Sequence, residues 1–385
     1  MTESAAARRG ICVVSTVPVA LTAFMAPHIL ALCARQPIVL VTSGGPDRLR
    51  GLLGKRVTFV PLEIARDASV LGDLRALLAL FRLFRAQRFE AVISITPKAG
   101  LLAMLAARMA GVPLRIHWFV GQVWATRRGM ARRFLRALDT VLARAATHLL
   151  ADSPSQRAFL EAEGVTGPGV ITVFGDGSVC GVDTTRFRPD SEARHRIRTQ
   201  LGIPPDAMVA LFVGRLNRDK GTPEMTEAFA QVAAELPELH LLLVGTDEGN
   251  FRPRIRERLG DRHDRVHFVD YTYEVEAFMA ASDVFLLPSH REGFGATVIE
   301  AAACEVPSIA TRIYGLTDAI ADGESGVLLP VQDVPALAAA LRRLVTDHEE
   351  RHRLGRQARL RVEHQFSEAR LTAAFQSFYT AMVRR

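Results

Sequence analysis

Short apolar runs alternate with amphipathic stretches along almost the whole chain. The first half contains seven runs with the length and residue types of buried strands: 11–15, 38–41, 57–60, 91–95, 115–119, 148–151 and 170–174. The second half contains six more: 208–213, 240–244, 266–269, 284–287, 308–311 and 327–329. Helical patterns lie between them, as at 71–87, where leucines recur at helical spacing and arginines occupy the opposite face. This alternation predicts parallel sheets with helices on both faces.

Two such series in 385 residues predict an α/β protein with two doubly wound, Rossmann-like domains, at residues 1–190 and 200–366. The boundary is expected near residues 188–205, where prolines flank a polar, charged stretch. Residues 366–385 have the pattern of an amphipathic helix whose apolar stripe must dock on another surface. Ligands of doubly wound sheets bind beyond the carboxyl ends of the strands, so the site is expected in the cleft between the two domains.

The segment 214–221 leaves the predicted strand 208–213 and has the composition of a phosphate site. Gly214 lets the chain turn off the strand, and Arg215 and Lys220 bring two cations to its exit. Arginine offers a planar fork to phosphate oxygens, and lysine adds a compact point charge. The segment taken alone also fits a basic surface turn.

A second segment, 292–300, follows another predicted strand and opens a helix. Gly293 and Gly295 allow backbone N–H groups to approach a ligand, and the helix N-terminus adds positive potential. Glu292 and Glu300 then remain to accept hydroxyl groups, although Glu300 also fits an ordinary helix-face glutamate. A diphosphate with attached hydroxyl groups, as in a nucleotide-sugar, matches the two segments together.

Several common signatures are missing from the chain. There is no GxxxxGK[ST] phosphate loop, no GxGxxG at the first strand–helix turn, and no DxD-like pair of acids at a strand end. Stabilisation of a leaving diphosphate by Arg215, Lys220 and helix N-termini therefore predicts a metal-independent mechanism with no cofactor.

Two polar residues of the first domain lie at predicted strand exits. His117 is a candidate for contact with the transferred sugar or an acceptor, and a structural role at a strand end is the alternative. Lys98, in the segment 96–100, is a candidate for an acceptor phosphate, with simple solvation as the alternative.

The charge is unevenly distributed. Residues 1–190 hold 24 Lys and Arg against 13 Asp and Glu, a net of +11, whereas the remainder has a net of −4. The basic half predicts an anionic partner: a membrane surface, a phospholipid-linked acceptor or a nucleic acid. Arg127 and Arg128 begin a basic amphipathic stretch suited to an anionic membrane. A solvated helix face, or a basic proteome rich in arginine, is the alternative.

The segment 10–34 carries no Asp, Glu, Lys or Arg and follows Arg8 and Arg9, so it has the length and flanks of a membrane span. Pro18, Pro27 and His28 interrupt it, and a strand, a loop and a helix from Pro27 explain it better. The four scattered cysteines form no CxxC pair, which favours reduced thiols in the cytoplasm and neither zinc nor disulfides.

With these motifs the chain resembles the family 4 retaining glycosyltransferases of the GT-B fold, over nearly its whole length. The resemblance lies in residues 213–221, in the E-x7-E element from Glu292 to Glu300, and in residues 181–183 with Phe187 and Pro189 at the hinge. Residues 96–100 and 121–127 further resemble a bacterial branch that builds O-antigen, capsule or exopolysaccharide.

The resemblance implies a role for each motif. Arg215 and Lys220 would hold the donor diphosphate, Glu292 with the Phe294 and Gly295 amides would position the donor sugar, and Glu300 would hold the ribose. The helix at 367–385 would pack back on the first domain. The loop after strand 266–269 would meet the base, although Asp270 stands where this branch more often has glycine.

These expectations define one function. The chain is predicted to move a hexosyl or N-acetylhexosaminyl group from a UDP-sugar to a polyprenyl-diphosphate-linked acceptor, with retention and without binding nucleic acid. It would work in the cytoplasm, peripherally on the inner face of the membrane. The alternatives are a nucleotide-sugar epimerase of the same fold, a dinucleotide-dependent oxidoreductase, and a non-catalytic peripheral membrane assembly protein.

Overall fold

The computed structural model describes residues 10–44, 46–65 and 69–384. The chain divides into two compact units: Met1–Cys180 with Ala369–Arg385 form the first, and Gly181–Glu368 form the second. The sequence placed the boundary later, with residues 181–190 in the first domain, and the structure corrects that prediction. Arg8 and Arg9, which flank the uncharged segment 10–34, lie outside the described residues.

The first unit is built on a seven-stranded parallel sheet in the order β3-β2-β1-β4-β5-β6-β7. Its strands are β1 Ile11–Val14, β2 Ile38–Thr42, β3 Val57–Pro61, β4 Ala91–Ile95, β5 Leu114–Phe119, β6 His148–Ala151 and β7 Ile171–Thr172. Its first helices are α1 Pro18–Ala20, α2 Ala26–Cys33, α3 Pro46–Leu53, α4 Val70–Gln87, α5 Pro97–Met109, α6 Gly129–Ala145 and α7 Pro154–Ala162.

Both faces of this sheet are covered, as a doubly wound fold requires. Cys12 and Val14 of β1 belong to the core under α4 and α5, whereas Ile11 and Val13 belong to the core on the opposite face. The alternation follows from the two-residue period of side chains along a strand. Because both faces are buried, the strands have continuous apolar sequences.

The helical segment after β1 begins earlier than predicted. The chain becomes helical at Pro18, passes through a π-helical turn at Leu21–Met25 and continues as α2, whereas the sequence predicted a loop up to Pro27. Proline fits the first turn of a helix because it has no N–H to satisfy there. Among the described residues no helix is both long and apolar enough to cross a membrane.

The second unit has a six-stranded parallel sheet in the order β10-β9-β8-β11-β12-β13. Its strands are β8 Met208–Val213, β9 Leu239–Val244, β10 Val266–Val269, β11 Val284–Leu287, β12 Ser308–Thr311 and β13 Gly326–Leu329. Its helices are α8 Ser191–Leu201, α9 Thr222–Glu235, α10 Phe251–Leu259, α11 Val275–Ala280, α12 Ala296–Ala303, α13 Leu316–Ala319, α14 Val334–Thr346 and α15 His348–Gln365. The fold class predicted from the alternating pattern, two doubly wound Rossmann-like sheets, is confirmed.

The stretch predicted to hold the domain boundary, 188–205, contains helix α8 and belongs to the second unit. Pro189 precedes the N-cap residue Asp190, whose side chain accepts a hydrogen bond from the Ala193 N–H at 2.9 Å. Gly202 ends the helix in the left-handed conformation. The prolines therefore bracket a capped helix, because proline is excluded from helix interiors as well as favoured in linkers.

The last helix, α16 Glu368–Val383, packs on the first unit. Leu371 and Phe375 are buried in the core on the β1 face that holds Ile11. The Tyr379 hydroxyl donates a hydrogen bond to the Glu90 carboxylate at 3.0 Å. An apolar stripe and one satisfied hydroxyl thus bring the C-terminal segment back to the N-terminal sheet.

Candidate functional site

The two segments singled out in the sequence meet at one edge of the second sheet. β8 and β11 are neighbouring parallel strands, with Ala210 opposite Val284 and Leu211 opposite Phe285. From β8 the sheet is wound toward β9 on one side and toward β11 on the other, so the switch in winding direction lies between these strands. Ligands of doubly wound sheets bind in the crevice at this point, beyond the carboxyl ends of the strands.

Lys220 and Glu292 form the central contact at the switch point. The Lys220 ammonium lies 2.5 Å from Oε1 of Glu292, with side chains 22% and 11% exposed. The Lys220 N–H donates to the Asn217 side chain at 3.1 Å, within a short 3₁₀ turn, Arg218–Lys220. A cation and a carboxylate are thus held together at the strand exits, with limited access to solvent.

Gly221 lets the two segments approach this closely. Its φ is +69°, and a Cβ atom at this position would lie 2.0 Å from the carbonyl oxygen of Pro288, the residue after β11. No side chain fits in that space, and the left-handed conformation itself disfavours other residues. A glycine at the end of the 214–221 segment is therefore required by packing as well as by the turn.

Two further pairs connect the same segments. Arg291 donates two hydrogen bonds to Oδ2 of Asp219, at 2.8 and 3.0 Å, and the His290 N–H donates to the Asp219 carbonyl at 2.8 Å. The His290 ring lies 3.0 Å from Oε1 of Glu224, which is on α9. The residues on each side of Lys220 thus bind those just before Glu292, which sets the position of both candidate side chains. None of these four residues was predicted from the sequence to belong to the site.

Arg215 lies at the same edge and points to a third loop. Its Nη1 donates to Oε2 of Glu248 at 2.6 Å, and the Asn217 amide donates to the same oxygen at 3.2 Å. Backbone hydrogen bonds from Leu216 to Thr246 and from Glu248 to Leu216 join the two loops. Arg215, the residue favoured for a phosphate, is accordingly oriented by an acid that follows β9.

The glycine-containing segment before α12 has strong structural constraints of its own. Gly295 is the N-cap of α12 with φ +84°, and a Cβ atom there would lie 2.4 Å from the Leu316 side chain. The Phe294 side chain is buried against Phe366, with ring centroids 5.2 Å apart, so only its backbone is available to a ligand. Gly293 contributes its carbonyl to close packing with Gly315. Donor contacts of Gly293, Phe294 and Gly295 stay predictions.

Glu300 lies within α12 and is partly buried. Burial raises the pKa of its carboxyl to about 7, the Arg186 guanidinium opposes this rise, and Glu276 adds to it. A carboxyl with such a pKa changes protonation state near neutral pH. Glu300 is therefore an acceptor whose strength depends on the charges around it, and its contact with a ribose stays a prediction.

His117 lies inside the first unit, with 1% of its surface exposed. Its Nδ1 is 2.8 Å from the Ser94 hydroxyl, and burial lowers the pKa of the imidazole to about 3. The ring fills the space that a Cβ at Gly100 of α5 would need. This is the environment of a packed, neutral histidine, the alternative left open by the sequence, and a direct contact of His117 with substrate stays a prediction.

The basic candidates of the first unit have different surroundings. Lys98, in the first turn of α5, forms an ion pair with Asp73 of α4 at 2.6 Å. Arg127 and Arg128 are exposed just before α6, and the Arg127 N–H donates to the Trp124 carbonyl at 3.0 Å. These contacts do not test a role in acceptor binding, so the acceptor roles of the three residues stay predictions.

Comparison with known proteins agrees with this architecture. Residues 193–361 match the family model "Glycosyl transferases group 1", and residues 25–177 match "Glycosyl transferase 4-like domain". A capsular polysaccharide biosynthesis glycosyltransferase, CapM of Staphylococcus aureus, is 29% identical over 84% of this chain and 85% of its own length. An Escherichia coli UDP-Gal:alpha-D-GlcNAc-diphosphoundecaprenol alpha-1,3-galactosyltransferase is 25% identical over 85% of this chain and 84% of its own length.

A solved structure shows the same fold. The crystal structure of Anabaena HepE in complex with UDP and glucose matches with a TM-score of 0.82 and 18% identity, over 97% of this chain and all of that one. The two doubly wound units, together with the two family models, define a glycosyltransferase of the GT-B fold. The chain belongs to the family 4 glycosyltransferases, and a bacterial capsular polysaccharide enzyme is among the relatives it resembles.

Proposed function

We propose that this glycosyltransferase moves a sugar from a UDP-sugar to a saccharide acceptor linked to polyprenyl diphosphate, in the synthesis of a bacterial surface polysaccharide. The observation that carries the proposal is the pairing of Lys220 with Glu292 at the switch point, with Arg215 at the same strand exit. The names of the two curated relatives support the acceptor and the pathway class, and the Escherichia coli relative is named for a UDP-linked donor.

Each side chain has a chemical task in this proposal. Arg215 and Lys220 bind the donor diphosphate and stabilise the charge that develops on it as the bond to the sugar breaks. Glu292 accepts hydrogen bonds from sugar hydroxyls, and Glu300 accepts them from the ribose. Arg215 and Lys220 supply the positive charge that the leaving group needs, so the proposed reaction needs no metal ion and no cofactor.

The proposed reaction retains the anomeric configuration. A double displacement uses a carboxylate nucleophile that forms a covalent glycosyl-enzyme. We assign no residue to that task, and we infer a same-face substitution in which the departing phosphate helps to remove the proton of the acceptor hydroxyl. Mass spectrometry that trapped a glycosyl-enzyme adduct would overturn this mechanism.

The proposal includes association with the inner face of the membrane. In α6 the apolar side chains of Met130 and Phe134 are 75% and 63% exposed, and Arg127, Arg128 and Arg133 are exposed beside them. Basic residues around exposed apolar side chains suit an anionic bilayer. We expect the protein to sediment together with phosphatidylglycerol vesicles. A smaller fraction of a Met130→Ser, Phe134→Ser variant should sediment with them. Equal binding to phosphatidylcholine vesicles would contradict the electrostatic part.

The donor class is tested by a thermal-shift titration with UDP, GDP, ADP and NAD, each with and without EDTA. A ligand that binds only the native state raises the unfolding midpoint. We expect stabilisation by UDP, insensitivity to EDTA, and loss of the response in Arg215→Ala. Arg218→Ala is the matched control because Arg218 is an exposed arginine of the same segment.

The outcomes of this titration separate the alternatives. A response to GDP or ADP alone would change the donor, and a response to NAD alone would contradict a transferase. Loss of the UDP response with EDTA would contradict metal independence. Incubation with a UDP-sugar and no acceptor then tests for an epimerase, which would convert the donor to an equilibrium mixture of epimers, whereas a transferase would at most hydrolyse it slowly.

A further inference from the structure

Arg186 lies in the second unit, in the segment 181–190 that precedes α8, and its guanidinium binds two groups at once. Nη2 donates to the carbonyl oxygen of Tyr273 at 2.6 Å and to Oε2 of Glu276 at 2.7 Å. The guanidinium also lies over the Phe187 ring, 5.1 Å from its centroid. Arg186 is therefore an ordered side chain, although it is on the surface.

The backbone of Arg186 is held as firmly as its side chain. Oδ1 of Asp183 accepts hydrogen bonds from the Thr185 N–H at 2.9 Å, the Thr185 hydroxyl at 2.7 Å and the Arg186 N–H at 3.3 Å. These bonds lower the pKa of the Asp183 carboxyl despite partial burial. The turn presents Arg186 to its partners from a fixed position.

Both partners of Arg186 belong to the loop after β10 and the helix that follows it. Tyr273 is in that loop, next to the exposed Tyr271, and Glu276 is in the first turn of α11. Loss of the guanidinium would leave the Tyr273 carbonyl and the Glu276 carboxylate without this donor. The contact therefore fixes the path of the chain between β10 and α11.

The same guanidinium acts electrostatically on Glu300 of α12. The positive charge of Arg186 favours the carboxylate form of Glu300, whereas Glu276 and burial favour the protonated form. Helices α11 and α12 pack against each other in this unit. One arginine thus touches the loop after β10 and also biases the ionisation of the carboxyl on the neighbouring helix.

We propose that Arg186 is a positioning residue for the nucleoside of the donor: its guanidinium fixes the loop after β10 through hydrogen bonds to the Tyr273 carbonyl and the Glu276 carboxylate. The inference rests on the proposed function and adds a residue outside the motifs that define the donor site.

The charged groups around Glu300 come from several elements. Arg186 faces it from the segment 181–190, with Asp183 beside it, and Glu276 faces it from α11. Cys304 follows one turn later, and burial raises the pKa of its thiol to about 12. Arg359 of α15 donates to the Ala303 carbonyl at 2.5 Å and forms an ion pair with Glu363. Of these groups, Glu300 is the one whose carboxyl changes protonation near neutral pH.

The test is calorimetric titration of the full-length protein with UDP between about pH 5.5 and pH 9. The affinity of the wild type should rise with pH and level off near the pKa of Glu300, because the carboxylate accepts stronger hydrogen bonds than the acid. The Glu300→Gln variant is the control for the nucleotide itself. It lacks the carboxyl, so any pH dependence of its UDP affinity comes from the nucleotide phosphate, which titrates at about pH 6.

The levelling point is the pH at which the UDP affinity stops rising. In Arg186→Met it should move up by about one pH unit, and UDP should bind on the order of ten-fold more weakly at pH 7. Glu276→Gln should move the point down, because it removes a negative charge. Arg186→Lys keeps the charge and loses the fork, so it should keep the wild-type levelling point with reduced affinity. Arg188→Met, at an exposed arginine of the same segment, should match the wild type.

The outcomes distinguish the two proposals. A UDP affinity of Arg186→Met equal to that of the wild type at every pH would overturn the inference while the donor proposal stands. A weaker affinity at every pH supports the positioning of the loop, and a shift in the levelling point supports an added effect of the Arg186 charge on Glu300. No UDP binding by the wild type at any pH would overturn the proposed donor and this inference with it. Thermal unfolding of each variant identifies any that does not fold, and the Arg186→Lys and Glu276→Gln arms then decide the question.

Discussion

The ammonium group of Lys220 lies 2.5 Å from Oε1 of Glu292, although the two residues are 72 positions apart in the sequence. Neighbouring strands β8 and β11 bring them together, and Gly221 permits the close approach. The proposed donor diphosphate binds the lysine and the proposed donor sugar binds the glutamate. The pair therefore lies where the bond between phosphate and sugar would break.

Lys220→Met and Glu292→Gln should each reduce kcat for sugar transfer by about 10²–10³-fold, because each removes a group that stabilises the transition state. Because the two groups act as a unit, the double variant should lose much less than the product of the single losses. Initial rates with a UDP-sugar and acceptor measure this, with Arg218→Met as control. Single variants with more than a tenth of the wild-type kcat would remove both residues from the proposed machinery.

Gly221→Ala should destabilise the protein by roughly 2–4 kcal/mol, because the new Cβ meets the Pro288 carbonyl and the φ of +69° disfavours any side chain. Gly202→Ala is the matched control: its φ is +67°, but a Cβ there meets nothing within 4 Å. Its expected cost is therefore only the conformational one, about 1 kcal/mol. Urea unfolding measures both, and equal costs would show that the contact with Pro288 is unimportant.

Glu300→Gln should stabilise the protein at alkaline pH while weakening UDP binding. The pKa of the Glu300 carboxyl is about 7 in the folded protein, whereas the ordinary value for a glutamate, which applies to the unfolded chain, is 4.5. The native state therefore binds more protons between these values, and its stability falls as pH rises through about 7.

The glutamine variant escapes this loss. It should be more stable than the wild type at pH 8, on the order of 1–3 kcal/mol, with no such gain near pH 4.5. Thermal unfolding at both pH values tests the sign, with the exposed Glu324→Gln as control. A gain that is the same at both pH values would indicate a packing effect instead.

Acid should destabilise the second unit through His240 of β9. Burial and the neighbouring His267, 3.0 Å away, lower the pKa of His240 to about 4 from 6.5. The unfolded chain therefore binds more protons between these values, so this contribution is fully present above about pH 6.5 and is lost as pH falls toward 4.

His240→Gln should flatten the dependence of the unfolding free energy on pH within this window, by on the order of 1–3 kcal/mol. Chemical unfolding at about pH 7.5 and pH 5 measures it, and His195→Gln, at an exposed histidine of α8, is the control. An unchanged slope in the His240 variant would assign the acid sensitivity to other buried histidines.

Much of the candidate site could be predicted because its signals are local. Arg215 and Lys220 are recognisable because they follow an apolar strand directly and lie among glycines. Glu292 and Glu300 are recognisable because their spacing spans the start of α12. The partners that orient them could not be predicted in this way. Glu248 lies 33 residues from Arg215, and Tyr273 lies 87 residues from Arg186. A signal was present in the two acids, Asp219 and Glu224, that flank Lys220, but it did not identify their partners.

Other differences arise because one residue type serves two purposes. Pro189 and Pro204 flank helix α8, where the sequence predicted a domain boundary, since proline marks helix ends and the stretches between domains alike. His117 was predicted to end a strand, but it lies within β5, where packing of Gly100 against its ring keeps it buried and neutral.

The sequence by itself determined the fold class, the series of strands and the segments that carry cations and carboxylates at the strand exits. It did so because side-chain periodicity and turn residues are properties of neighbouring positions. Only the tertiary structure decided which of these groups meet, that the chain changes unit at Gly181, and that Glu300 titrates near neutral pH. Burial, pairing and pKa depend on side chains contributed from distant parts of the chain, and these come together only when the sheet is formed.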